Sequence, residues 1–330
     1  MRNTIRLPFM MFLLFATQIF FAQTANSEKN KYDFVVAKDG SGDFKSVQEA
    51  INAVPFLKTT ETKILIKNGT YKEKLEIPEN KNNITFIGED KDKVIVTYDD
   101  YASKKNSVGE NIGTSGSASF IVTGNDFKAK NITFENAAGP VGQAVAVRVD
   151  GDRIIFENCK FLGFQDTLYP RSGKSRQYYK NCYIEGTIDF IFGASTVVFD
   201  QCEIFAKAEN AYITAASTPE NNAYGFVFLN CKLTTNSENN SYYLGRPWRN
   251  FAKTVFIKCE MAAHIKPEGW HNWSKPDAEA TTFYAEYLSV GSGGNTASRV
   301  SWSHLLTAEQ VATDYTLNAI FKDWILNKKK

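Results

Sequence analysis

Phe156-Glu157-Asn158-Cys159 and Tyr179-Lys180-Asn181-Cys182 are one phrase written twice: an aromatic residue, a charged one, Asn and Cys. It returns in looser form as Phe199-Asp200-Gln201-Cys202, Phe228-Leu229-Asn230-Cys231 and Phe256-Ile257-Lys258-Cys259, so the cysteines fall 23, 20, 29 and 28 residues apart. A period of roughly 20 to 25 residues, lengthened where loops insert, is that of a parallel β-helix in which each repeat forms one coil. Short apolar runs bounded by turn residues recur throughout, at 63–66, 84–87, 94–97, 120–122, 132–134, 153–156, 197–199, 226–229 and 254–257. With 25 Phe and 15 Tyr and no long helical period, these runs read as strands. A β-sandwich also has many strands, but it requires no Asn-Cys corner at a fixed phase. The expectation is an all-β chain, a parallel β-helix (a single-stranded solenoid) with short capping helices. Ser46-Val47-Gln48-Glu49 and Thr307-Ala308-Glu309-Gln310 have the capping-box pattern for two of them. The stretch 315–325 is a candidate third.

A cysteine-free version, Phe134-Glu135-Asn136-Ala137, aligns as an earlier coil. Counting on from the last residue of each phrase, Gln143 and Gln165 fall six later, while Asp166 and Asp189 fall seven later. Equal offsets in a solenoid mean stacking, at roughly 5 Å per strand spacing. Two carboxyls and two carboxamides so gathered suit a hydrolytic centre. One difficulty follows from the same count: Gln165 and Asp166 are neighbours, and neighbours on a strand face opposite sides. Both reach one cleft only through a bend, for which Gly163 is the candidate.

The first 22 residues, with Arg2 and Arg6 before an apolar run from Leu7 to Ala22, read as a secretory leader. Cleavage is expected after Ala22 or Ala25, giving a catalytic domain over 23–330. Without the leader, 36 basic residues face 36 acidic ones, and no electrostatic argument for nucleic acid remains. The run is short for a membrane span, so no stable membrane anchoring is expected, and the product is expected to be a periplasmic or extracellular monomer. The five cysteines mark a repeat position, which reads as a buried ladder of thiols; one or two bridges are the alternative. No Cys/His group has zinc spacing, and neither a metal nor a cofactor is expected.

Five motifs in order extend the pattern: Gly69-Thr70-Tyr71-Lys72-Glu73, Gln143-Ala144-Val145-Ala146-Val147, Gly163-Phe164-Gln165-Asp166-Thr167-Leu168, Asp189-Phe190-Ile191-Phe192-Gly193 and Leu244-Gly245-Arg246-Pro247-Trp248. Along nearly the whole chain after the leader, the sequence resembles the pectin methylesterases, carbohydrate esterases that demethylate methylated homogalacturonan. The resemblance implies a right-handed parallel β-helix with its active site in a cleft on the flank. It implies Asp189 as nucleophile, Asp166 as general acid and later base, Gln143 and Gln165 as oxyanion donors, Arg246 as the group holding Asp189 ionised, and Trp248 as a sugar platform. Arg246 lies outside the repeat count, so its role rests on the resemblance alone.

The chemistry supports the same assignment. Attack by a carboxylate on a methyl ester builds negative charge on the carbonyl oxygen, which amide N–H groups can stabilise. Expelling methanol needs a proton from a second carboxyl, so the two acids must differ in pKa. Among aromatic residues, Trp248, Trp270 and Phe190 are candidates for contact with the sugar. Thr114, in Gly113-Thr114-Ser115-Gly116, lies in a segment resembling the family's substrate loop. Four other readings fit the residues less well. A pectate lyase needs a calcium-binding acidic cluster, and a polygalacturonase pairs its acids with a His, whereas His264, His271 and His304 lie late in the chain. A non-catalytic polysaccharide-binding β-helix has no use for the acid, amide and guanidinium set. No Gly-x-Ser-x-Gly elbow marks a serine esterase.

Overall fold

The computed structural model describes residues 31–207 and 211–324. The leader expected at 1–22, its cleavage sites and the Lys328-Lys329-Lys330 tail lie outside the described residues. Within them the chain winds as a parallel β-helix of three sheets, with 11, 7 and 8 strands. One coil shows the plan: Ile154–Glu157 belongs to the 11-stranded sheet, Lys160–Leu162 to the 8-stranded sheet and Leu168–Pro170 to the 7-stranded sheet.

The repeated phrase is the end of a strand in the largest sheet plus the corner that leaves it. Parallel register sets Phe156 beside Tyr179, Tyr179 beside Phe199, Phe199 beside Phe228 and Phe228 beside Phe256. Their rings stack inside the coil with centroids 5.0, 5.0, 4.6 and 4.4 Å apart, about one strand spacing. The next-but-one residue turns the corner: Asn158, Asn181, Gln201, Asn230 and Lys258 all have φ between 52° and 55°. Asn is enriched there because its short polar side chain tolerates the left-handed conformation. The cysteine that follows points inward, and all five thiols are free and buried. Cys182, Cys202 and Cys231 donate to the carbonyls of Phe156, Tyr179 and Phe199 in the preceding coil, at 3.5, 3.4 and 3.3 Å.

The cysteine-free phrase is not part of this column. Phe134 lies in the 8-stranded sheet opposite Phe161. The residues beneath Phe156 and Asn158 are Ala129, by direct pairing, and Asn131, with φ 57°. The true corner strand, Lys128–Lys130, has no aromatic residue, so the sequence shows the neighbouring strand's aromatic instead. In the 7-stranded sheet Val147 pairs with Leu168, one residue short of the expected 22, but just before that strand the Ala144 N–H donates to the Gln165 carbonyl at 3.1 Å and the Ala146 N–H to the Thr167 carbonyl at 2.8 Å. This is the pattern of the expected offset, so Gln143 and Gln165 stand at the same level of adjacent coils. Leu168 pairs with Ile191 at the expected 23, and the two aspartates keep their register.

The helix Val47–Ala53 has both halves of the Ser46/Glu49 capping box, ends at Val54 before Pro55, and buries Val47, Ala50 and Ile51. These side chains join the interior core and close one end of it. Thr307 and Gln310 form the second box, opening Ala308–Asp314, and Leu317–Phe321 follows. These C-terminal helices cover a flank: Ile320, Phe321 and Trp324 pack with Tyr178, Val198, Val227 and Val255, the outward residues of the largest sheet.

Candidate active site

Asp166 and Asp189 each stand two residues before a strand of the 7-stranded sheet, Leu168–Pro170 and Ile191–Gly193. Each backbone N–H donates one coil onward, Asp166 to the Ile188 carbonyl at 3.1 Å and Asp189 to that of Tyr212 at 2.8 Å. Both residues are left-handed, with φ 67° and 51°. This conformation interrupts the pleat, which allows Gln165 and Asp166 to line the same cleft. The bend thus lies at Asp166 itself, not at Gly163. The glycine serves another purpose: a Cβ there would lie 2.6 Å from the Thr167 hydroxyl.

The cleft has a volume of about 520 Å³. Its floor carries Asp166 and Asp189, 7% and 5% exposed. Gln143, Gln165, Thr114, Ser115 and Ile112 line it with Trp248 and Trp273. Gln143 is exposed and Gln165 half-buried, and neither side-chain amide has a hydrogen-bond partner among the described residues, so their N–H groups are available to a ligand. Where the strands resume, alternation returns: Leu168 and Ile191 point into the core, Tyr169 and Phe192 outward. The two outward rings stack at 4.1 Å, and Trp248 tilts against them at 6.2 and 5.9 Å.

Two expected sugar contacts are elsewhere. Phe190 is fully buried, packed over Gly186, where an added Cβ would lie 2.2 Å from the Phe190 Cβ. Trp270 is 1% exposed and fills the last coils' interior, stacked on Tyr284 at 4.3 Å. The missed aromatic is Trp273, three residues after Trp270. A turn signal was there to find it, because Asn272 and Ser274 flank it, and Trp273 and Ser274 are left-handed in the structure.

Arg246 follows the strand Tyr242–Gly245. Gly245 pairs with Thr214, and any Cβ on it would lie 2.1 Å from the Thr214 hydroxyl, so only glycine lets the chain pass here. The guanidinium then forks onto Asp189, Nε to Oδ1 at 2.9 Å and Nη2 to Oδ2 at 2.7 Å. Tyr212 and Trp273 hold it between them, their ring centroids 3.8 and 3.6 Å from Cζ. Lys275 lies on the same side, bonded to the carbonyls of Pro247 and Trp248.

The two carboxyls are driven apart. Burial pushes Asp166 up, the Asp189 charge pushes it further, and Arg246 opposes them only in part, leaving it at about 8. Burial is also the largest influence on Asp189 and raises it, but the Arg246 fork and Lys275 pull it back. Arg246 therefore limits the rise that burial causes. The order of the pair is the one the chemistry needs. No group of three or more metal-binding side chains exists among the described residues.

The family model for pectinesterases matches residues 33–323. Pectinesterase 31 of Arabidopsis thaliana is 44% identical over 281 residues, covering 83% of this chain and 88% of that protein. The chain spans about half the length of several other curated relatives, 49% in one case. A pectin methylesterase from carrot has a similar structure, with TM-score 0.80 and 37% identity, covering 88% of this chain and 92% of that one. Another, solved in complex with a hexasaccharide, has TM-score 0.77 and 30% identity, covering 89% and 98%. A parallel β-helix with this acid pair on its flank, matched over nearly its whole described length, belongs to the pectinesterase family, carboxylic ester hydrolases that demethylate pectin.

Proposed function

We propose that the cleft hydrolyses methyl-esterified galacturonate units of pectin through Asp189 as nucleophile. The observation that carries this reading is the bidentate Arg246–Asp189 pair beside an Asp166 that holds its proton to about pH 8. Asp189 attacks the ester carbonyl carbon, and the charge that develops on the carbonyl oxygen is met by N–H groups of Gln143 and Gln165. Collapse breaks the bond to the methoxy oxygen, which takes the Asp166 proton and leaves as methanol. Asp166, now ionised, removes a proton from water as the water attacks the acyl-enzyme. The products are a free galacturonate, Asp189 as carboxylate and Asp166 reprotonated. Trp248, Trp273 and Thr114 border the space the polymer would occupy.

The apolar run in residues 1–22 supports export, with a single catalytic domain over 23–330 acting as a monomer. No helix among the described residues is long and apolar enough to cross a membrane. The reading predicts that methylated pectin yields methanol and new carboxylates in equal amounts, with chain length unchanged and no unsaturated sugar. Unsaturated or shortened products without methanol would replace it with a lyase or a glycoside hydrolase.

A further inference from the structure

Phe134-Glu135-Asn136-Ala137, which lies outside the corner column, carries an asparagine used differently. Asn136 ends the strand Thr133–Asn136 and is 3% exposed. The corner residues Asn158 and Asn181 turn the chain with positive φ; Asn136 instead uses its side chain to bind backbone. Its Nδ2 donates to the carbonyls of Asp100 at 2.9 Å, Ser117 at 3.2 Å and Val145 at 2.9 Å. Its Oδ1 accepts from the N–H of Ala138 at 3.0 Å.

Those three carbonyls belong to three separate segments of one cleft wall. Asp100 begins the loop whose Ala102 N–H donates to the Gln143 carbonyl at 2.8 Å. Ser117 caps the short helix Gly113–Gly116 that carries Thr114. Val145 lies two residues after Gln143. Ser117 adds a second link, since its hydroxyl accepts from the Val145 N–H at 3.1 Å and donates to the Thr114 carbonyl at 2.7 Å. Gln143 itself is exposed, so no packing around its side chain fixes the amide. Its position depends on how firmly its backbone is held.

We infer that Asn136 is a positioning residue for the oxyanion donor Gln143, with Ser117 as its relay to the Thr114 helix. The inference rests on the role given to Gln143 above. An amide is suited to the task because it is neutral, has two N–H groups to share among three carbonyls, and satisfies those of Asp100 and Ser117, while that of Val145 also accepts from the Ser119 N–H at 3.0 Å. A carboxylate of the same shape would face those carbonyls with no donor.

The test is a double-mutant cycle on methanol release. Removing an oxyanion donor typically costs about 100- to 1,000-fold in kcat, so Q143A sets the scale. N136A is expected to lower kcat by about 10-fold or more with KM nearly unchanged, and to cost nothing further in the Q143A background. Equal losses from N136A with and without Gln143, or wild-type kcat in N136A, would overturn the inference. If N136A does not fold, S117A, which removes the hydroxyl's links to Val145 and Thr114 and leaves the three Asn136 bonds to backbone carbonyls in place, is held to the same criteria. Should Q143A itself retain wild-type kcat, the fault lies in the assignment of Gln143 as donor, a separate outcome.

Discussion

At the scale of single residues, the site works by keeping one buried acid protonated. Asp166 holds its proton to about pH 8 because burial and the Asp189 charge act together. The folded state therefore binds that proton more tightly than the unfolded chain, where an aspartate titrates near ~3.9. The sign follows directly: the stability that goes with the protonated group is complete below about pH 4 and is lost as pH rises through about 8. D166N has no proton to lose. It should match the wild type in urea denaturation near pH 4 and be the more stable protein at pH 8, by up to roughly 5 kcal/mol. A difference that stayed constant over that pH range would contradict the assignment. In the wild type, kcat/KM should fall as pH rises through about 8, because the acid that releases methanol has then ionised.

At the scale of elements, the fold is a column of identical corners. Asn181 turns its corner at φ 52° with an exposed side chain. Asn181→Gly should therefore leave stability nearly unchanged, whereas Asn181→Val, β-branched in a left-handed position, should lower it by about 1–2 kcal/mol in urea denaturation. Equal effects of the two would show that the corner conformation is not what Asn supplies. The corner was legible in the sequence because its chemistry is local: aromatic, charged, Asn and Cys at fixed phase. The coil beneath was misaligned because Lys128–Lys130 satisfies the same corner without an aromatic ring, while Phe134 imitates the phrase from the next sheet. The aspartate register survived because the coil between Cys159 and Cys182 has one length, 23 residues, in all three sheets. Phe190 and Trp270 were misread for a different reason. Which aromatic faces the cleft depends on pleat parity after a left-handed aspartate and on how the last coils fill, neither of which residue type reveals. Trp273 is the counterpart, a cleft residue recognisable only by the turn around it.

At the scale of the whole molecule, the scaffold and the chemistry are separable. The core is a continuous interior of stacked rings, aliphatic side chains and free thiols, and the site is built outside it, from residues at or just beyond strand ends in several coils. Thr114 and Gln143 come from loops of the earlier coils, Asp166 and Asp189 from adjacent ones, and Arg246 and Trp273 from beyond an intervening strand at Ala211–Ala216. No short stretch of chain contains the site, and only winding assembles it. A change in one cleft carboxyl should then end the reaction without unwinding the helix. The most direct measurement is methanol release from methylated pectin by D189N, compared with the wild type at equal folded protein, with the melting transition recorded alongside. The account predicts a cooperative transition in D189N and turnover at least 1,000-fold lower, on the order of the loss seen when a catalytic nucleophile is removed. Turnover within about 10-fold of the wild type would mean that Asp189 does not attack the ester.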